Sequence, residues 1–178
     1  MTATIAVFGA SGTHPGDAHY EDGIRCGRTL AEAGYSVATG GYYGTMEAVS
    51  LGARSAGATV VGVTAPSVFP LRPGANDHVT DEWVGRSLID RIGLLIEHTD
   101  ASIALWGSLG TATELLVAWN LAFVASFSAI ERKPVIAVGE PWTRLIPLLE
   151  EELSTTRGLV SVVPDVPTAV VALREALG

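Results

Sequence analysis

Residues 101–119, ASIALWGSLGTATELLVAW, decide the fold of this chain of 178 residues. The apolar run 101–105 predicts a strand, residues 106–111 predict a glycine-rich turn, and the apolar residues that follow predict a helix. Such a turn presents backbone N–H groups at a helix N-terminus, where the macrodipole favours an anion. Glu114 follows on the same helix. The stretch therefore predicts phosphate capture beside an acidic side chain.

Two earlier predicted strands, 3–8 and 35–39, also end in glycine-rich turns. One such turn is a weak signal, because glycine after a strand is useful to the backbone without any ligand. Three of them at the carboxyl edge of one parallel sheet indicate a ligand site there. The candidate binding residues in the two earlier turns are Gly9, Ser11, Gly40, Gly41, Gly44 and Thr45. Those in the third turn are Gly107, Ser108, Gly110 and Thr111.

Strand-like and helix-like segments alternate along the chain, which is typical of an α/β fold. Strands are predicted near 3–8, 35–39, 58–64, 102–106 and 134–139, with shorter extended pieces near 77–80 and 159–163. Helices are predicted near 17–33, 44–56, 85–98, 109–130, 141–153 and 166–177. Continuous apolar strands suit a parallel sheet that is covered on both faces. We therefore expect a doubly wound, Rossmann-like fold, with a mainly parallel sheet between two helical layers.

Length and composition limit the possible functions. At 178 residues the chain is expected to be a single nucleotide-binding domain over residues 1–178. The net charge of −8 argues against a nucleic-acid groove, which needs clustered lysine and arginine. The single cysteine, Cys26, allows no intrachain disulfide and no thiolate metal cluster, and no metal or cofactor is predicted. Residues 65–74 contain three prolines and are predicted to form an ordered loop or lid.

The apolar run 115–130 bears on membranes and on assembly. It is 16 residues long, shorter than the roughly 20 that a membrane-spanning helix needs. A helix that is apolar nearly all round is otherwise buried. We therefore expect a homodimer or a larger homo-oligomer and no membrane contact. The N-terminus lacks the pattern of a signal peptide, which indicates a cytoplasmic protein.

The third turn resembles the Pro-Gly-Gly-x-Gly-Thr-x-x-Glu signature of the LOG (LONELY GUY) family, matching at Gly107, Gly110, Thr111 and Glu114. Arg91 stands 23 residues before Glu114, as an arginine of that family does. The turns after the first two predicted strands resemble the family's turns in the same order. The departures are Trp106 for the family's proline, Ser108 for its second glycine and Ile92 for a basic residue. The chain therefore resembles a divergent branch, close to proteins described as molybdenum-cofactor carriers.

The resemblance implies a nucleoside 5′-monophosphate phosphoribohydrolase, which releases a free base and ribose 5-phosphate. In that interpretation Glu114 stabilises the oxocarbenium-like sugar and orients water, and Arg91 pairs with Glu114 or with the substrate. The third turn would hold the 5′-phosphate. The alternative from another class is a nucleotide or phosphorylated-cofactor carrier with little or no turnover, favoured by Ser108 and Ile92. An NAD oxidoreductase is disfavoured, because no Gly-x-Gly-x-x-Gly follows the first strand.

Two further residues have two interpretations each. Glu47 starts the helix after the second turn, where it either enters the site or caps the helix. Trp106 stands at a strand end, where it either stacks on a base or packs against the protein.

Overall fold

The computed structural model describes residues 2–72 and 74–178, which form an alternating series of strands and helices. The strands are β1 (Thr4–Phe8), β2 (Ser36–Thr39), β3 (Val60–Thr64), β4 (Asp81–Val84), β5 (Ala101–Ala104), β6 (Val135–Val138) and β7 (Val160–Val163). The helices are α1 (Ala18–Glu32), α2 (Thr45–Ser55), α3 (Leu88–Glu97), α4 (Leu109–Ala125), α5 (Trp142–Glu152) and α6 (Val166–Leu177).

All the strands join one parallel sheet in the order β4-β3-β2-β1-β5-β6-β7. The chain runs outward from β1 to β4 and then returns to place β5 on the other side of β1. Ile5 pairs with Ala101 and Phe8 with Ala104, so both strands end at the same level. Their carboxyl ends form the topological switch point, which is where open α/β sheets bind ligands.

Alternate residues of the strands face two separate cores. Ala6 and Phe8 of β1 face the core that is covered by α3, α4 and α5. Ile5 and Val7 face the other core, covered by α1, α2 and α6, where Cys26 is fully buried. Both faces of the sheet are therefore covered, and the doubly wound α/β prediction is confirmed.

The fourth strand differs from the sequence prediction. The extended piece was expected near 77–80, whereas β4 covers Asp81–Val84. This strand lies at the edge of the sheet and pairs only with β3, so its side chains are mostly exposed. An exposed edge strand needs no apolar run, and the hydrophobic pattern therefore could not locate it.

Two helices are shorter than predicted. α4 ends at Ala125, not near residue 130, and the N–H groups of Ser126 and Phe127 donate to the carbonyls three residues earlier, those of Phe123 and Val124. The Ser126 hydroxyl donates to the Ala122 carbonyl, and the Ser128 hydroxyl accepts from the Ile130 N–H, both at 3.3 Å. α3 begins at Leu88, not near residue 85, because Ser87 accepts a hydrogen bond from the Asp90 N–H at 3.1 Å and caps the helix.

The loop after β3 is ordered by backbone hydrogen bonds. Val68 and Phe69 both donate to the Ala65 carbonyl at 3.0 Å, and Arg72 donates to the Phe69 carbonyl at 3.0 Å. Of the predicted loop 65–74, Pro73 lies outside the described residues. Within residues 2–72 and 74–178, none of the helices combines the length and the apolar character needed to cross a bilayer.

Candidate functional site

A cavity of about 240 Å³ lies at the carboxyl edge of the sheet, beside the switch point between β1 and β5. Turns after several strands contribute to its wall, together with α3 and the first turns of α4. The lining residues are Gly9, Ser11, Met46, Phe69, Arg72, Leu88, Arg91, Ile92, Ser108, Gly110, Thr111, Thr113 and Glu114. The fold thus brings Arg91 and Glu114 into one cavity with part of the predicted phosphate turn.

Arg91 and Glu114 form an ion pair in this cavity. The Arg91 Nη1 lies 3.1 Å from the Glu114 Oε1, and only 7% and 12% of the two side chains are exposed. Glu114 is the sixth residue of α4, beyond the first turn of the helix, where the effect of the macrodipole fades. Capping of the helix alone therefore does not explain why this carboxylate is placed here.

The environment of Glu114 makes its charged form costly. Burial raises the pKa of the Glu114 carboxyl above its ordinary value of 4.5, while the charge and hydrogen bond of Arg91 lower it. The effect of burial is the larger of the two. A carboxyl with a raised pKa beside a fixed cation is common where a protein moves protons or stabilises a developing charge.

Arg91 is fixed from three sides. Its Nε donates to the Val63 carbonyl at 2.8 Å, and its Nη2 donates to the Gly40 carbonyl at 3.0 Å. A Cβ at Gly40 would lie 1.9 Å from the Arg91 Nη2, so a side chain at this position would displace the guanidinium. Because its N–H groups serve the protein, Arg91 positions Glu114 and has little capacity left for a ligand.

The turn before α4 carries a polar atom without a partner. Among the described residues, the Oγ1 of Thr111 is the buried side-chain oxygen or nitrogen that makes no hydrogen bond, although Thr111 is only 2% exposed. A Cβ at Gly107 would lie 2.0 Å from this oxygen, so Gly107 leaves the hydroxyl uncrowded. Gly110 lines the cavity with open space beside it. The turn is therefore suited to an oxygen-rich anion.

The turn before α2 is closed by the protein itself. Gly44 has a φ of +70°, and a Cβ there would lie 2.5 Å from the Ala10 carbonyl oxygen. The Thr45 N–H donates to that carbonyl at 2.8 Å, and the Thr45 hydroxyl bonds the Thr13 hydroxyl at 3.1 Å. Gly40, Gly41, Gly44 and Thr45, which were predicted to bind phosphate, lie outside the cavity wall, whereas Gly9 and Ser11 line it.

Trp106 and Glu47 lie away from this cavity. The Trp106 ring stacks on the His19 ring with centroids 4.2 Å apart, and both line a neighbouring cavity of about 360 Å³. Glu47 lies beside Tyr20, a buried residue of α1. Burial and the nearby Glu47 carboxylate together raise the pKa of the Tyr20 hydroxyl.

Six lining residues were not among the candidate site residues named from the sequence, namely Met46, Phe69, Arg72, Leu88, Ile92 and Thr113. Phe69 and Arg72 come from the proline-containing loop after β3, and Leu88 comes from the first turn of α3. The only sequence signal was an arginine inside an ordered loop that follows a strand. Ile92, where the family has a basic residue, lines the cavity and packs into the core of α3 and α4.

Comparison with known proteins gives one family and two kinds of relative. Residues 2–162 match the model of the SLOG cluster4 family. A protein of Mycobacterium tuberculosis named cytokinin riboside 5′-monophosphate phosphoribohydrolase is 33% identical over 142 residues, which cover 78% of this chain and 71% of the relative. A protein of the same name from Rhodococcoides fascians is 29% identical over 160 residues, covering 84% and 78%.

The solved structures include proteins described by a different role. The molybdenum cofactor carrier protein of Chlamydomonas reinhardtii superposes with a TM-score of 0.75 at 25% identity, over 99% of both chains. A molybdenum cofactor binding protein of Rippkaea orientalis superposes with a TM-score of 0.79 at 20% identity, over 100% of this chain and 99% of the other. At 20% identity, the likeness to the Rippkaea orientalis protein shows the fold alone. The resemblance seen in the sequence, including its two branches, is confirmed.

Proposed function

The chain belongs to the SLOG cluster4 family, and we propose that it hydrolyses the N-glycosidic bond of a nucleoside 5′-monophosphate to a free base and ribose 5-phosphate. The observation that carries this proposal is the buried Arg91–Glu114 pair, which shares one cavity with the glycine-rich turn before α4. The relatives named phosphoribohydrolases support the same chemistry.

The 5′-phosphate is proposed to sit at the turn before α4. Backbone N–H groups at the start of α4 point toward an anion there, and the Thr111 hydroxyl has a hydrogen bond to give. Ser108, at the N-cap position of α4, makes no capping bond with its side chain and adds a second hydroxyl. In this arrangement the ribose lies between the turn and Glu114.

The hydrolysis is proposed to use Glu114 as the negative charge beside the sugar. As the C1′–N bond breaks, the base leaves with the electron pair, and positive charge develops on the ribose. Glu114 stabilises that charge and orients a water molecule, whose hydroxyl bonds to C1′ while its proton goes to the base. Arg91 keeps the carboxylate in place, so the stabilising charge needs no rearrangement during the reaction.

The proposal is tested by incubating the protein with AMP, GMP, CMP, UMP and a prenylated AMP, with adenosine as a substrate without phosphate. Chromatography of the products should detect free base and ribose 5-phosphate from at least one monophosphate and much less base from adenosine. Release of inorganic phosphate without free base, or equal cleavage of adenosine, would contradict the proposed reaction.

A second candidate is a carrier of a nucleotide or phosphorylated cofactor with little or no turnover. The likeness to the Chlamydomonas reinhardtii carrier over nearly the whole chain favours it, as does Ser108 in place of a glycine. Tight binding of a nucleotide, measured by calorimetry, with no base released over many hours would support the carrier and exclude the hydrolase.

We further propose a cytoplasmic homo-oligomer, at least a homodimer, that is a single nucleotide-binding domain over residues 1–178. Ile89 on α3 and Leu109 at the start of α4 are 76% and 82% exposed, and each is next in sequence to a residue that lines the cavity. Light scattering should give twice the chain mass of 18.5 kDa or more, and a stable monomer at micromolar concentration would contradict the assembly.

A further inference from the structure

Arg72, on the loop after β3, lines the same cavity as Arg91 and Glu114. These are the charged groups among the lining residues, so the wall carries two positive charges and one negative charge when Glu114 is ionised. The cavity wall is thus positive by one charge in a protein with a net charge of −8. A locally positive cavity in an acidic protein favours an anionic ligand at that place.

The charge of Arg91 is already used by the protein. Its guanidinium pairs with Glu114 and donates to two backbone carbonyls, those of Val63 and Gly40. A phosphate monoester carries about 1.5 to 2 negative charges at neutral pH. The N–H groups of the turn supply only partial charges. The ligand's phosphate therefore needs a further cation, which Arg91 does not supply.

Arg72 has the free charge that this ligand needs. In the part of the chain that the structure describes, its guanidinium makes neither an ion pair nor a side-chain hydrogen bond. Its carbon Cζ lies 4.7 Å from the centroid of the Tyr42 ring and 4.5 Å from that of Phe69. A guanidinium held on aromatic rings keeps its N–H edge available for a planar or bidentate acceptor.

The aromatic support of Arg72 is itself fixed. Tyr42 is fully buried, and its hydroxyl accepts a hydrogen bond from the Ala65 N–H at 2.8 Å. Phe69 packs edge-on against the Tyr42 ring with centroids 5.4 Å apart. Because the loop holds the guanidinium in place before any ligand arrives, little side-chain entropy is lost on binding.

We propose that Arg72 is the cation that binds the ligand's phosphate, together with the turn before α4, which lines the same cavity. The inference rests on the proposed function only in the choice of a nucleoside monophosphate as ligand. It assigns to the loop after β3 a role in binding the phosphate group, and to Arg91 the separate role of positioning Glu114.

The experiment compares Arg72→Gln, Arg72→Lys and Arg157→Gln with the wild type. Arg157 is exposed on the turn before β7, so its substitution removes the same charge far from the cavity. Calorimetry measures the binding of inorganic phosphate, ribose 5-phosphate, AMP and adenosine, and initial rates give KM and kcat for AMP. Thermal unfolding of each variant checks that the fold is retained.

For Arg72→Gln we expect the Kd of each phosphate-bearing ligand and the KM for AMP to rise roughly 10- to 100-fold, as for loss of a charge-assisted hydrogen bond. We expect unchanged kcat and unchanged adenosine binding. Arg72→Lys should lie between Arg72→Gln and the wild type, because it keeps the charge and loses the planar fork. Arg157→Gln should behave as the wild type.

Two results would overturn the inference. One is phosphate binding that is the same in Arg72→Gln and the wild type, or absent in both. The other is an equal loss of affinity for AMP and adenosine, which would mean that Arg72 packs the loop or contacts the base. If the wild type binds AMP without cleaving it, the hydrolase proposal fails, while the phosphate-binding measurements still decide the role of Arg72.

Discussion

Two Gly-Thr turns precede helices at the carboxyl edge of the sheet, Gly44-Thr45 before α2 and Gly110-Thr111 before α4. In the first, the Thr45 hydroxyl bonds Thr13, and a side chain at Gly44 would meet the Ala10 carbonyl. In the second, the Thr111 hydroxyl has no partner, and Gly110 faces open space. Similar sequences thus make one turn whose glycine and threonine contact the protein and one turn whose Gly110 and Thr111 hydroxyl have no such contact.

This difference separates the roles of glycine and threonine in the two turns. At Gly44, protein atoms stand where a Cβ would be, whereas at Gly110 that space is open. A packing threonine has a hydrogen-bond partner within the protein, whereas a ligand-binding threonine has none until the ligand arrives. Substitutions at matched positions should therefore affect stability in one turn and binding in the other.

The largest effect is expected at the acidic residues that follow the two turns. Glu114→Gln keeps the size of the side chain and removes the charge beside the sugar, so turnover of the nucleotide should fall roughly 10²–10³-fold. Glu47→Gln, beside Tyr20 and outside the cavity, should leave turnover near the wild-type value. Steady-state assays on both variants decide this, and equal activity of Glu114→Gln and wild type would remove Glu114 from the mechanism.

The next effect concerns the glycines. Gly44→Ala forces a side chain into a left-handed backbone conformation and against the Ala10 carbonyl, so the free energy of unfolding should fall by roughly 1–3 kcal/mol. Gly110→Ala should change it by no more than about 1 kcal/mol, in the stabilising direction, because Gly110 lies in a helix with open space beside it.

Ligand binding should show the opposite order for the two glycines. The methyl group of Gly110→Ala extends into the cavity and should weaken AMP binding, while Gly44→Ala should bind AMP as the wild type does at temperatures where it is folded. Urea unfolding and calorimetry on the same samples give both quantities. A destabilised Gly110→Ala with intact binding would reverse the roles assigned to the two turns.

The sequence predicted the fold because its central strands are apolar throughout and alternate with helical segments, whereas the exposed strand β4 and the ends of α3 and α4 could not be located from the hydrophobic pattern. Arg91 and Glu114 were also found from the sequence, through a spacing of 23 residues that matches a family. The packing role of Gly44 could not be predicted from the sequence, because it depends on the Ala10 carbonyl, which lies in a distant loop. Arg72 was missed for a similar reason, since its position over Tyr42 and Phe69 is a tertiary contact.

A smaller effect is expected in the pH dependence of stability. Because burial raises the pKa of Glu114 in the folded protein, the folded state binds a proton more tightly than the unfolded state does. The stability contributed by protonated Glu114 is present below the unfolded pKa and is lost as pH rises through the higher folded pKa. Relative to Glu114→Gln, the wild type should therefore become less stable as pH rises above 4.5.

Urea unfolding of the wild type and Glu114→Gln, measured at matched pH values, tests this sign. A stability difference that grows in favour of the wild type over the same pH rise would mean that the attraction of Arg91 outweighs burial. The pKa of Glu114 would then be lowered in the folded protein, contrary to the environment described above.

The most direct test of the two turns compares Thr111→Val with Thr45→Val. Thr111→Val removes a buried hydroxyl that has no partner, so the free energy of unfolding should stay the same or rise, while phosphate and AMP bind more weakly. Thr45→Val leaves the Thr13 hydroxyl unpaired, so the free energy of unfolding should fall by about 1 kcal/mol with ligand binding unchanged.

The deciding measurement is the Kd of inorganic phosphate for these two variants and the wild type, by calorimetry under one set of conditions. We expect a raised Kd for Thr111→Val alone, which would establish the turn before α4 as the anion site. An unchanged Kd for Thr111→Val, or a Kd raised equally in both variants, would contradict the division of roles between the two turns.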